Sequence, residues 1–270
     1  MTTIRKLLIF ACFIEVFLFF NSCKKDDINP EQIKQFSIHS DNTGSDYTVW
    51  VVLPKDYNPD FTYETAYLLD AQANYLRYDK IAKITEEQSL KYNKQNVIVV
   101  GISSENDRDR DFTPSNTELG GGGSEGYSKF LEFELIPKIE SDYRVDTTAK
   151  SRLIIGHSLG GLFACNLFIN HSHLFHNYLM LSPSLWYDNG LLLQYESDFR
   201  AQNATINNLV FVGCGELEES IVLGAQEWDY RLSTFYPNCI HSFYKLLNRS
   251  HVESAFPNAE QGLAYYYENK

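Results

Sequence analysis

One serine stands in a setting that could make it a nucleophile. Ser158 lies inside Gly156-His157-Ser158-Leu159-Gly160-Gly161, a G-x-S-x-G pattern. It follows the apolar run Leu153-Ile154-Ile155 and precedes the apolar stretch Leu162 to Ile169. Strand, sharp turn and helix form the context in which such a serine becomes a nucleophile elbow. Glycines have no Cβ to obstruct so tight a turn. The serine is thereby held at a helix N-terminus, where the backbone N–H of Leu159 can face a developing oxyanion. A second N–H is expected from the loop after an earlier strand, in Leu68-Leu69-Asp70-Ala71-Gln72. Ala71 and Gln72 are its candidate donors, with Asp70 fixing the loop through hydrogen bonds.

A serine of this kind needs a base and an orienting acid, in the chain order Ser, Asp/Glu, His. The downstream histidines are His171, His173, His176, His241 and His251. The first three come too early and His241 falls within a strand. His251, in the polar stretch Asn248-Arg249-Ser250-His251-Val252, is the expected base, on a loop that can swing over the sheet edge. The acid should follow the strand at Leu209–Gly213, in Gly215-Glu216-Leu217-Glu218-Glu219. Glu218 is the choice from its spacing after Gly215, with Glu216 and Glu219 as alternatives. It would fix the imidazole tautomer and stabilise the imidazolium.

The elements that must position these groups alternate. Strands are expected at Phe36–Ser40, Tyr47–Leu53, Thr65–Asp70, Asn96–Ile102, Leu153–Gly156, Tyr178–Leu181, Leu209–Gly213 and Ile240–Leu246. Apolar runs rich in β-branched residues carry that reading. Helices are expected at Ala73–Tyr92, Ser128–Tyr143 with a kink at Pro137, and Leu162–Ile169. A long loop spans Arg108–Gly126. The alternation predicts an α/β fold, a mostly parallel central sheet with helices on both faces.

The N-terminus reads as an address. Arg5 and Lys6 precede the apolar run Leu7 to Phe20, which is interrupted by Glu15 and is too short to span a bilayer. Ser22-Cys23 follows, resembling a lipobox, and Lys24-Lys25-Asp26-Asp27 resembles an export tag. The expected organisation is a lipoprotein signal at 1–22, lipidated Cys23 and a linker at 23–35, and one catalytic domain at 36–270. The protein is then expected to be exported, as a periplasmic or outer-surface lipoprotein of a bacterial envelope, tethered to membrane only through its lipid.

Composition narrows the function classes. Net charge is −12, from 23 Lys+Arg and 35 Asp+Glu, which argues against nucleic-acid binding. Hydrophobic residues make up 44%, ample for a core. Gly120–Gly123 is no phosphate loop, because no Gly-Lys-Ser/Thr follows; it reads as a mobile segment at the site entrance. His171, His173 and His176 lack a second ligand cluster at zinc spacing, so no metal is expected. Cys165, Cys214 and Cys239 read as buried free thiols.

Several motifs in order carry a family resemblance. They are Val49-Trp50-Val51-Val52-Leu53-Pro54-Lys55-Asp56-Tyr57, Tyr67-Leu68-Leu69-Asp70, Arg108-Asp109-Arg110-Asp111-Phe112-Thr113-Pro114, the elbow through Phe163, Ser182-Pro183-Ser184-Leu185-Trp186, and His251. The chain resembles, over residues ~36–268, the Putative esterase family of α/β-hydrolases that includes esterase D and enterochelin-esterase-like proteins. The resemblance implies a Ser–acid–His triad, no cofactor and hydrolysis of small-molecule esters or thioesters. Siderophore lactones, acyl groups on sugars and S-formylglutathione are the substrates it suggests. It also implies a substrate pocket shaped by Asp70, Arg108, Asp111 and Trp186. The family often has Asp-Gly where this chain has Asp70-Ala71, and Ala does not sit comfortably at φ > 0. Acyl transfer and non-catalytic ligand binding by a surface lipoprotein are the alternative functions.

Overall fold

The computed structural model describes residues 28–104, 107–118 and 120–270. The segment expected to be a lipoprotein signal, Cys23 and the charged stretch after it lie outside the described residues. Eight strands form one sheet: β1 (Ile33–Ser40), β2 (Ser45–Val52), β3 (Thr65–Leu68), β4 (Ile98–Ile102), β5 (Arg152–His157), β6 (Asn177–Leu181), β7 (Leu209–Gly215) and β8 (Ile240–Leu246). Their spatial order is β1-β2-β4-β3-β5-β6-β7-β8. The β1–β2 and β2–β4 pairs are antiparallel, and every later pair is parallel.

Burial explains the strand sequences. All residues of β4, β5, β6 and β7 are buried, so apart from the terminal Arg152, His157 and Asn177 these strands read as apolar runs with both faces covered. Edge strands β1 and β8 are partly exposed. Among the described residues eight α-helices accompany the sheet: α1 (Tyr78–Tyr92), α2 (Arg108–Phe112), α3 (Ser124–Phe130), α4 (Ile136–Asp142), α5 (Leu159–Asn170), α6 (Tyr187–Asn203), α7 (Glu219–Phe235) and α8 (His251–Asn269). One apolar layer joins Ile81 and Ile84 of α1 to Ala255, Ala259 and Leu263 of α8. The other joins Phe112, Tyr127, Phe163, Phe168 and Trp228. Among the described residues no helix is long and apolar enough to cross a membrane. Cys165, Cys214 and Cys239 are free and buried.

Several boundaries depart from expectation. The linker ends sooner, because Ile33 to Gln35 already pair with β2. Helix α1 starts at Tyr78 rather than Ala73, since Ala73 and Leu76 close hydrogen-bonded turns before it. Arg108–Gly126 is not a bare loop. It holds α2, a two-residue ribbon pairing Asn116–Thr117 with Gly120–Gly121, and the start of α3. A wide π-type turn at Leu131–Leu135 joins α3 to α4, and Pro137 falls in the first turn of α4. The Ile136 N–H bonds the Leu131 carbonyl, so the wide turn leads straight into α4 just where Pro137 removes a helical donor. His251 is not in a loop: it is the first residue of α8, after a capping box of Ser250 and Glu253.

Candidate active site

The site lies at the C-terminal ends of the parallel strands, where this architecture places ligands. Ser158 caps α5 with φ 62° and ψ −119°, a conformation that costs a non-glycine residue about 1–3 kcal/mol. Its surroundings hold it there. The Ser158 N–H donates to the Leu181 carbonyl at 2.9 Å, and the Ser158 carbonyl accepts from Ser184 N–H at 3.1 Å and Leu162 N–H at 2.9 Å. A Cβ on Gly156 would collide with the Gly160 carbonyl, so glycine is needed for the elbow to close.

His251 Nδ1 donates to Glu218 Oε2 at 2.6 Å. Glu218 Oε1 accepts from Ser254 Oγ at 2.7 Å, Ser182 Oγ at 3.0 Å and the Gly215 N–H. Burial pushes this carboxyl up, but the bonds from His251, Ser254, Gly215 and Ser182 outweigh it and hold it below its ordinary range. Glu218 is therefore the ionised acceptor beside the imidazole. Glu216 Oε2 instead accepts from the Asn248 N–H, and Glu219 opens α7 exposed. Ser158, Glu218 and His251 line one cleft lobe of about 440 Å³ with Ser184, Trp186 and Leu217. The Ser158 hydroxyl itself meets Ser184 Oγ at 3.4 Å. Hydrogen bonds of a resting site often tighten only when substrate arrives.

A second lobe of about 290 Å³ also reaches Ser158, lined by Arg108, Thr113, Gly120, Leu159, Trp186 and Tyr187. Trp186 borders both lobes and is half exposed. A larger groove of about 590 Å³, lined by Pro54, Phe61, Leu90 and Lys94, lies before β4 begins and is remote from this chemistry.

The N–H groups expected to face an oxyanion differ in what they bond. Leu159 is the first residue of α5, whose N–H has no acceptor within the helix. Ala71 does not serve: its N–H donates to the Ile102 carbonyl at 3.0 Å and its side chain is fully buried. That leaves the Gln72 N–H, which has no partner among the described residues. The Gln72 amide brackets Ser104, donating to its Oγ at 3.1 Å and accepting its N–H at 3.3 Å. The left-handed residue of this loop is Asp70, φ 54°, so the alanine at 71 is unstrained.

Two expected pocket residues lie beneath the pocket. Asp70 is buried and accepts both Arg108 Nε at 2.9 Å and Nη2 at 2.9 Å, with Ser104 Oγ as a further donor. Asp111 is buried too, bonded to Tyr47 Oη at 2.8 Å and to Arg110 Nη2 at 2.7 Å. Both carboxylates have their ligands inside the protein, so they brace loops rather than face substrate. Gly120–Gly123 is tethered: the Gly122 N–H donates to Thr113 Oγ1 at 2.9 Å, and Tyr187 Oη lies 3.1 Å from the Gly120 carbonyl. His171 and His173 bond Glu125 and Glu132 at 3.0 Å each. Among the described residues no group of His, Cys, Asp or Glu is arranged to hold a metal.

Sequence reasoning missed Ser182 and Ser254, which share Glu218 Oε1, and Ser184 beside Ser158. Ser182-Pro183-Ser184 stood out only as a landmark, and no local pattern marked Ser254. It also missed the side chain of His157, whose Nε2 lies 3.1 Å from the His251 carbonyl oxygen.

A family model described as Putative esterase matches residues 40–212. The match contains Ser158 and ends before Glu218 and His251. Ferri-bacillibactin esterase BesA of Bacillus subtilis is 30% identical over 202 residues, covering 67% of this chain and 68% of that protein. Among solved structures, the BES protein from Bacillus cereus superposes with a TM-score of 0.78 at 28% identity, covering 98% of each chain. An IroE-like serine hydrolase from Shewanella oneidensis gives a TM-score of 0.76 at 22% identity, over 87% of this chain and 80% of the other.

Proposed function

The chain belongs to the Putative esterase family and is a carboxylic ester hydrolase, and we propose that it works through Ser158, His251 and Glu218 on a siderophore-type ester. The observation that carries the triad is the 2.6 Å bond from His251 Nδ1 to a Glu218 carboxylate in the cleft that holds the elbow serine.

In this reading the Nδ1–H bond leaves the lone pair of His251 on Nε2, facing the cleft. Substrate draws the Ser158 hydroxyl from Ser184 to that nitrogen. His251 takes the proton as Oγ attacks the ester carbonyl. The oxyanion is met by the N–H groups of Leu159 and Gln72. The imidazolium, stabilised by Glu218, then protonates the leaving alcohol and an acyl-enzyme remains. Water, deprotonated by His251, cleaves it and restores Ser158. No cofactor enters any step.

The substrate class rests on the relative acting on ferri-bacillibactin, and on two lobes meeting at Ser158 that would take the acyl and alcohol arms of a bulky ester. Acyl-sugar esters are the competing class. The test is turnover of a catecholate trilactone, an acetylated xylan oligomer and p-nitrophenyl acetate by wild type and Ser158→Ala. Trilactone preferred by wild type, with all turnover lost in the variant, is the expected result. A variant that retains turnover would exclude Ser158 as nucleophile, and a preference for the sugar ester would exclude the siderophore class.

For location, we propose export and lipid attachment at Cys23, supported by the Arg5–Lys6, apolar-run and Ser22–Cys23 pattern. Mass spectrometry of the mature N-terminus should find a diacylated Cys23. An unmodified N-terminus would overturn this.

A further inference from the structure

His157 is a buried titratable group that the mechanism does not use. It immediately precedes the nucleophile, at the end of β5, and is 1% exposed. Its Nε2 lies 3.1 Å from the backbone carbonyl oxygen of His251, 94 residues further along the chain. A carbonyl can only accept, so the His157 proton resides on Nε2. Nδ1 has no partner among the described residues, which suits the bare acceptor nitrogen of that tautomer. The two imidazoles lie with ring centroids 4.5 Å apart, and Tyr75 packs edge-on to the other side at 5.3 Å.

Among the described residues the His251 carbonyl has one other side-chain neighbour, Ser254 Oγ at 3.0 Å. Ser254 owns a single proton, and Glu218 Oε1 lies closer to it, at 2.7 Å. The charge-assisted bond to the carboxylate takes that proton. His157 is then the side-chain donor that holds the first residue of α8.

We propose that His157 is a positioning residue for the base: it ties the elbow strand to the start of α8 and so fixes where His251 stands relative to Ser158. This rests on the triad reading above. One residue thus sets both distances, since its backbone leads into the nucleophile and its side chain holds the backbone of the base. Neutrality suits the role. Desolvation, with the neighbouring His251 second, lowers the His157 pKa to about 3, so no second cation sits under the imidazolium formed at His251.

Three variants test it, with p-nitrophenyl butyrate turnover, fluorophosphonate labelling and thermal melting read on the purified protein. His157→Phe keeps a ring and loses the donor. His157→Asn keeps an amide too short to reach. In His157→Gln the amide nitrogen occupies the place of Nε2. Loss of the bond is expected to lower kcat about tenfold or more in the Phe and Asn variants, with KM within about twofold. His157→Gln should recover kcat to within about threefold of wild type. A folded Phe or Asn variant with wild-type kcat would overturn the proposal, as would a Gln variant no better than Asn. Asn decides if Phe does not fold. Inert wild type, unlabelled by the fluorophosphonate, would overturn the triad reading and this one together. Active, labelled wild type with unaffected Phe and Asn variants would overturn this one alone.

Discussion

His251 and Glu218 meet at 2.6 Å, Nδ1 to Oε2, although each stands at the start of a different helix. The bond leaves one tautomer, with the free nitrogen of His251 directed away from α7. Glu218→Gln would present an amide to Nδ1 in place of a carboxylate. It would also lose the charge that stabilises the imidazolium. A fall in kcat on the order of 10³-fold is expected, with KM little changed. Steady-state kinetics on p-nitrophenyl butyrate check this, and a fall under tenfold would remove Glu218 from the proposed triad.

The same carboxylate links folding to pH. Folded Glu218 lies below its ordinary value of 4.5, because its four donors outweigh the desolvation that alone would raise it. A depressed carboxyl stabilises the fold above its unfolded pKa, and that contribution disappears as pH falls through the folded value. Wild type should therefore lose more unfolding free energy than Glu218→Gln between pH 7 and pH 3. Urea titrations at the two pH values measure the difference. Equal losses in both proteins would mean that folding does not depress the Glu218 carboxyl.

Ser158 stores strain that a glycine would release. Its φ of 62° and ψ of −119° suit glycine and no other residue. Ser158→Gly should raise stability by about 1 kcal/mol, or about 2–4 °C in Tm. Ser158→Ala keeps the Cβ and should melt close to wild type. Both should be inactive. Equal melting temperatures for Gly and Ala would show that the elbow is not strained.

Asp70 and Arg108 form a pair with one partner almost fully buried. Removing one charge leaves the other unpaired, and breaking such a pair typically costs about 3–5 kcal/mol. Arg108 is partly exposed, so solvent relieves some of its side of that cost. Asp70→Asn and Arg108→Met should each destabilise, and the double variant should cost less than the sum. Asp70→Asn should also slow turnover if the Gln72 N–H meets the oxyanion as proposed, since Asp70 braces the loop that carries it. Additive effects in a denaturation cycle would mean that the two residues act independently.

What the sequence discloses follows from local chemistry. The elbow is legible because the glycines that its turn requires stand beside the serine. Spacing from Gly215 favours Glu218 over Glu216 and Glu219, and in the structure its Oε1 turns back onto the Gly215 N–H. The buried strands read clearly because both their faces are covered. Contacts between distant segments are hidden from such a reading. Nothing near Ala71 announces that its N–H belongs to Ile102, 31 residues on, nor does Asp111 announce its burial against Tyr47. Helix α2 is illegible because five polar-rich residues are too few for a 3.6-residue period to emerge.

Trp186 is the exposed aromatic that borders both lobes of the cleft, and it is half exposed where Leu185 beside it is buried. Its neighbours divide the work: Leu185 packs into the core, while Trp186 offers an indole face to whatever occupies the cleft. Truncation should therefore spare the fold and weaken substrate binding. Trp186→Ala should change unfolding free energy by no more than about 0.5 kcal/mol, as surface changes do. KM for a bulky aromatic ester should rise about tenfold, since stacking on an aromatic adds about 0.5–1.5 kcal/mol beyond the area it buries. For p-nitrophenyl acetate, whose acyl arm is a single methyl, the rise should be smaller. A comparison of the two KM values checks this. Equal rises for both esters would place Trp186 outside the binding surface for the larger arm.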